Sequence, residues 1–253
     1  TRNIYRVDVL GYVDDAIQDI FVLSLEGGEP RQLTSGDYLK GPLAWSPDGS
    51  EILFIASGFP DTYELGPKLR VVDMAGEVRD LLGDWGYATT ASWTPDGQRI
   101  VFVGNPEGFP SGGIHYNLWS VSRQGGKPEC HTAALQCQVD GFLLSDISAM
   151  PGMVPPRPIV EPDGRSTLVP VQVGGSIHIY RVALQGAESC EPLVTGERAC
   201  ALVGAHDDRL VYCVRSAVIP ADLYSARSDG SEEQRLTRIN ESFLSELALQ
   251  PME

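Results

Sequence analysis

The five residues Trp45-Ser46-Pro47-Asp48-Gly49 recur as Trp93-Thr94-Pro95-Asp96-Gly97. A weaker copy stands at Glu161-Pro162-Asp163-Gly164, and a faint one at Asp207-Asp208. A turn repeated along a chain means that one folding unit has been copied, and this constrains the fold before any reactive side chain is considered. The turn has a mechanical logic. Proline presets φ at its first position and aspartate tolerates the next. Glycine then supplies the positive φ with which the chain re-enters a strand.

A second segment interleaves with the first: a short apolar strand, a glycine turn, then a polar strand closing on a Leu-Thr-like pair. Its copies begin at Ile20, Leu69, Leu118, Ile179 and Leu223, which are 49, 49, 61 and 44 residues apart. A period of about 45 residues with four strands per unit is that of a β-propeller blade. The strands after the first two turns, Ile52-Leu53-Phe54-Ile55 and Ile100-Val101-Phe102-Val103, are apolar without alternation. That pattern needs burial on both faces, which a blade packed between two neighbours provides. Trp45 and Trp93 occupy equivalent positions and are expected to wedge between blades as core. The expected fold is all-β: a β-propeller of four-stranded antiparallel blades, about five present. Residues 1–240 form the propeller and 241–253 an exit segment, in which 241–247 is the candidate helical piece and an extended segment its alternative.

Two stretches depart from the period. Residues 104–117 form a Gly/Pro-rich connection, and 133–158 hold the insertion that lengthens the fourth spacing. Long loops on a rigid scaffold are where ligands and partners are met.

The chemistry that a sequence can advertise is absent. The net charge of −15 opposes binding to a nucleic-acid backbone. No apolar run approaches the ~18 residues of a membrane span. Five cysteines at irregular spacing suit free thiols in a reducing cytosol better than a disulfide framework. Gly174-Gly175-Ser176-Ile177-His178 lacks the last glycine of a nucleophile elbow and reads as a hairpin turn. Cys130-His131 with Cys137 has no second ligand pair at metal-finger spacing, and Cys130-His131 falls where other blades carry Leu-Leu or Leu-Thr. The four histidines His115, His131, His178 and His206 are scattered over different blades. No metal or cofactor is expected.

The Trp-x-Pro-Asp-Gly blades, the segment Leu118-Trp119-Ser120-Val121-Ser122-Arg123-Gln124-Gly125-Gly126 and the stretch Gly11-Tyr12-Val13-Asp14-Asp15 carry a resemblance. The ending from Gln234 through Leu236-Thr237 and Asn240 to Leu247 is its most specific part. Together they resemble the propeller domain of the prolyl oligopeptidase family of serine peptidases, in its bacterial acylaminoacyl-peptidase or dipeptidyl-aminopeptidase-like branch. The resemblance implies seven blades followed by an α/β-hydrolase domain with a Ser-Asp-His triad. On that basis this chain is an incomplete seven-bladed propeller, short of one or two blades in front and of the hydrolase behind. Closure of five repeats into a complete propeller is the alternative.

Such a propeller performs no bond chemistry. It caps the active site, excludes large folded substrates and lends loops to the peptide substrate, so this chain alone is expected to be inactive. Its parent would be a cytoplasmic serine peptidase acting on short or N-terminally blocked peptides. Arg2, Tyr12 and Asp14 are the substrate-contact candidates. An open arc of blades exposes strand edges and an apolar face, which pairing with another copy would cover. The second reading is a free-standing interaction propeller, similar to Tol-Pal scaffolds, that binds a protein at its mouth. A third, a metal-dependent lyase of acidic sugars, needs histidines converging on the axis.

Overall fold

The computed structural model describes residues 6–7, 11–12, 18–58, 66–107, 115–140 and 157–249. β1 (Arg6–Val7) and β2 (Gly11–Tyr12) form a hairpin with Arg6 opposite Tyr12. β3 (Phe21–Val22) and β4 (Arg31–Gln32) are two outer strands of a first blade. The second blade is a meander of β5 (Leu39–Trp45), β6 (Glu51–Ser57), β7 (Lys68–Asp73) and β8 (Val78–Asp80). The third repeats it with β9 (Tyr87–Trp93), β10 (Arg99–Asn105), β11 (Asn117–Ser122) and β12 (Glu129–Cys130). In the fourth, the first strand is split into β13 (Gln138–Val139) and β14 (Ile159–Val160). Both pair with β15 (Ser166–Val173), which is followed by β16 (Ser176–Ala183) and β17 (Cys190–Val194). The fifth blade is β18 (Ala199–His206), β19 (Arg209–Ser216), β20 (Ile219–Arg227) and β21 (Gln234–Arg235), and the helix α1 (Glu241–Leu244) follows it. The chain is a β-propeller of four-stranded antiparallel blades with about five present.

The repeated turns are built alike. In the first, Gly49 N–H donates to the Ser46 carbonyl at 2.9 Å and the Ser46 hydroxyl to Asp48 at 2.7 Å. In the second, Gly97 and Thr94 make the same bonds at 2.9 and 2.6 Å. Gly49, Gly97 and Gly164 sit at φ 68°, 66° and 69°, in the left-handed region that glycine enters without a Cβ penalty. The Gly174-Gly175 hairpin joins β15 to β16, so Ser176 begins a strand rather than an elbow. Asp207-Asp208 is a two-residue turn between His206 and Arg209, with Asp207 at φ 50°.

A second rule closes the blades. Thr34, Thr132 and Thr237 each accept the backbone N–H of Ile20, Leu118 and Leu223, at 2.9, 3.0 and 2.9 Å. Each also donates to Asp19, Asn117 and Asp222, respectively. The Leu-Thr pair is thus a clasp between a blade's third strand and its exit. His131-Thr132, not Cys130-His131, occupies this position in the third blade, because His131 N–H bonds the Leu118 carbonyl as Leu33 bonds Ile20. The sequence frame is one residue off there because the third blade's outer strand carries no leucine to mark it.

Packing between blades makes the core. Leu53, Ile55, Leu69 and Val71 of the second blade meet Ala91, Trp93, Ile100 and Phe102 of the third. Val101, Val103 and Leu118 meet Val139, Val169, Val171 and Val182 across the next seam. Burying each such side chain contributes about 1.5–3 kcal/mol. β6 and β10 are buried along nearly their whole length, as their unbroken apolar pattern requires. The two tryptophans part company. Trp93 is 7% exposed and donates to the Ala44 carbonyl of the preceding blade at 3.2 Å. Trp45 is 53% exposed. It lies opposite Ile52 and thus on the side of the first blade, so the expected wedge forms at Trp93 and not at Trp45. Phe21 and Leu23 of the first blade, and Val203 of the fifth, are likewise exposed.

Candidate binding face

In each blade whose four strands are described, the first strand begins and the fourth ends at the same edge. Lys40 lies opposite Ala56, Ala56 opposite Lys68, and Asp80 opposite Arg70 near that edge. β21 runs toward the same edge of the fifth blade, so the chain leaves the propeller there and enters α1. Around this exit Leu236, Ile239, Phe243, Leu247 and Leu249 stand exposed.

The first strand of the fourth blade is interrupted. Val139 pairs with Val171 and Ile159 with Leu168. Three residues along β15 therefore correspond to twenty along its partner, an insertion of 17 residues in the fourth blade's first strand. The irregularity is narrower than the 133–158 read from spacing, because 133–140 form the link between blades and β13. The connection read as 104–117 narrows too, since β10 continues to Asn105 and β11 begins at Asn117.

Asp140 stands at the start of the insertion, at φ 68°, with its N–H bonded to the Pro170 carbonyl at 3.0 Å. Burial pushes its carboxyl up to about 6, and a bond from Thr89 on the neighbouring blade pulls in the other direction. The Thr89 hydroxyl also reaches the Val103 carbonyl at 3.4 Å, and its single proton serves one acceptor at a time. Asp140 is therefore an acid whose charge depends on its surroundings. Toward the exit edge, Lys40, Asp19 and Asn105 are matched. Lys40 has no exposed side-chain surface, lies 2.9 Å from Asp19 and donates to the Gly36 carbonyl at 2.7 Å. Burial pushes Asp19 up, but bonds from Lys40, Thr34 and Gln32 outweigh it and hold the carboxyl below its usual range. Asn105 binds the His115 carbonyl at 2.7 Å.

Of the sequence candidates, Arg2 and Asp14 fall outside the described residues. Tyr12 is described only as a backbone position in β2. Asp140 and Thr89 escaped the sequence reading, since nothing local marks an aspartate that becomes buried against another blade. A Ser–His pair escaped it too. Ser120 Oγ is 2.7 Å from His131 Nε2, and Arg99 donates to the same oxygen at 2.6 Å. Ser120 is 2% exposed and His131 6%. Burial pushes the imidazole down, which suits a neutral acceptor. The pair ties two strands of one blade together and offers no open path to a substrate carbonyl. Among the described residues no three metal-binding side chains gather. His131 is buried, while His178 bonds the Gly196 carbonyl and His206 is exposed at a turn. No helix of the described residues is long and apolar enough to cross a membrane.

These features define a propeller with exposed apolar residues at its exit and no assembled nucleophile among its described residues. Neither a family model nor a curated protein matches the sequence. Solved structures match the fold. A puromycin hydrolase is similar at TM-score 0.65 and 15% identity, over 87% of this chain and 35% of that one. TolB from Acinetobacter baumannii is similar at TM-score 0.57 and 16% identity, over 86% of this chain and 48% of that one. An oligogalacturonate lyase in complex with manganese is similar at TM-score 0.62 and 20% identity, over 90% and 61%. The chain thus spans less than two thirds of each of these structures.

Proposed function

We propose that this chain is the propeller of a serine peptidase of the prolyl oligopeptidase family, where it gates and helps to bind peptide substrates. One observation carries the reading: the exit strand β21 delivers the chain to a face where the residues around α1 are apolar and exposed, and the fourth blade's first strand is interrupted at Asp140. An apolar exit suits a hydrolase domain docked on that face. The broken first strand then lies between that domain and the propeller axis, where a peptide's N-terminal side would pass. Similarity to the puromycin hydrolase fold supports this reading. The parent acts on short or N-terminally blocked peptides in the cytoplasm, and Arg2, Tyr12 and Asp14 remain the substrate-contact candidates. The 253-residue chain should not cleave aminoacyl- or acylaminoacyl-anilides, whereas the native protein should cleave them and spare folded proteins. A native protein without anilidase activity contradicts the proposal.

Similarity to TolB favours a second reading, a free-standing propeller that binds a protein partner at its mouth. Recovery of a stoichiometric protein partner with a native protein that hydrolyses nothing would favour it. The lyase likeness brings no matching donor set, because the described histidines do not converge.

A further inference from the structure

Three of the four described seams are latched in one way. An arginine of the preceding blade donates to the backbone carbonyl at the next blade's outer turn: Arg31 to Met74, Arg79 to Arg123 at 3.5 Å, and Arg181 to Ser228 at 2.7 Å. At the same three seams a turn glycine sits against the preceding blade's backbone. A Cβ on Gly76 would meet the Leu33 carbonyl oxygen at 3.1 Å. On Gly125 it would meet Leu81 at 2.9 Å, and on Gly230 it would meet Leu193 at 2.1 Å. The seam between the second and third blades adds Arg123, which binds Glu51, Asp48 and Ser50.

The seam between the third and fourth blades has neither latch. Glu129 stands in the register of Arg31 and Arg79. It accepts from Arg99 of its own blade, and a carboxylate cannot donate to a carbonyl. Leu184 stands in the register of Arg123. The fourth blade's outer turn is longer: Ala183 N–H bonds Ser189, six residues on, where Asp73 bonds Glu77 and Arg227 bonds Ser231, four residues on. Gly186 is thereby carried away and would meet nothing within 4 Å. A cavity of about 40 Å³ remains, lined by Asp96, Arg99, Ser120, Leu184 and Gln185 among others. The fourth and fifth blades, besides their latch, are joined by the Ile177–Ala199 bridge into one sheet. What holds the third seam is its valine-rich core, the Asp140–Thr89 contact, the backbone bond from Val139 N–H to the Tyr116 carbonyl at 3.1 Å, the bond from Ala134 N–H to Glu188 at 2.9 Å and a long Cys190 Sγ contact to the His131 carbonyl at 3.9 Å.

The geometry points to this seam as the parting line of the propeller: the first three blades move as one body and the last two as another. Opening there widens the mouth at Asp140 without breaking a strand ladder. The inference does not rest on the peptidase reading.

Buried valines at three seams supply matched probes, since cysteine is slightly smaller than valine and packs in its place. In a background with the five natural cysteines replaced, Val171→Cys reports the third seam, Val71→Cys the second and Val214→Cys the fourth. Thiol alkylation in native buffer should be at least about tenfold faster for V171C than for V71C or V214C, with weak dependence on urea. Adding Leu184→Arg, which offers Asp96 the guanidinium that Asp48 receives from Arg123, should slow V171C labelling toward the other two. Val103→Cys, on the opposite wall of the same seam, repeats the measurement if V171C does not fold. Equal rates at the three seams, or fastest labelling at V71C or V214C, would overturn the proposal.

Discussion

Arg123 Nε lies 2.8 Å from Glu51 Oε2, and the two residues belong to neighbouring blades. Glu51 is shared with Arg79 of its own blade at 2.5 Å, so one carboxylate joins an intrablade and an interblade contact. Both Arg123 and Glu51 are largely removed from water, which is where a hydrogen-bonded ion pair is costly to break on one side. Arg123→Ala should lower stability by about 1–3 kcal/mol in urea unfolding. Asp48→Asn, at the solvent end of the same cluster, should cost much less. Equal costs would mean that the exposed contact matters as much as the buried one.

The two equivalent tryptophans give an internal comparison. Trp93→Ala should cost about 3–5 kcal/mol, because it empties a filled site in the core. Trp45→Ala should cost less than about 1 kcal/mol, since half of that side chain is already in water. Chemical denaturation of the pair checks this, and a large loss at Trp45 would place it under a neighbour.

Gly230 and Gly186 share a positive φ, 83° and 84°, but not their surroundings. Gly186→Ala should cost about 1 kcal/mol for the left-handed backbone alone. Gly230→Ala adds a clash with the Leu193 carbonyl and should cost about 2–4 kcal/mol. Thermal unfolding of the two variants separates backbone strain from seam contact.

Asp140 should make stability depend on pH. Its folded pKa, about 6, lies above the ordinary aspartate value, so the folded chain holds the proton more tightly than the unfolded one. The associated stability is fully present below the unfolded value and is lost as pH rises through about 6. Asp140→Asn should flatten this dependence and stabilise the chain by up to roughly 3 kcal/mol at neutral pH. An unchanged pH profile between pH 4 and pH 7 would show that Asp140 is solvated.

Much of the fold was readable because it is written locally. Pro47-Asp48-Gly49 carries its own turn, the unbroken apolar run at Ile52 announces two covered faces, and Gly174-Gly175 announces a hairpin. The candidate helix at 241–247 is present as Glu241–Leu244. What was not readable depends on contacts between distant segments. Trp45 and Trp93 hold equivalent places in the same repeated motif, and the neighbour across the seam makes one core and the other surface. The latching arginine comes from a fourth strand at Arg31 and Arg79 but from a third strand at Arg181, so no fixed spacing reveals it. Asp140 becomes an unusual acid only when Thr89, 51 residues earlier, is brought beside it.

The most direct test of the central claim is the intact mass of the native polypeptide that contains these residues, taken before and after treatment with a fluorophosphonate probe. The account predicts a chain of about 600 to 700 residues, the size of a propeller plus a hydrolase domain. That chain should gain one probe adduct on a serine outside these 253 residues. A native polypeptide that takes up no probe, or one of about the length of this chain, would contradict it.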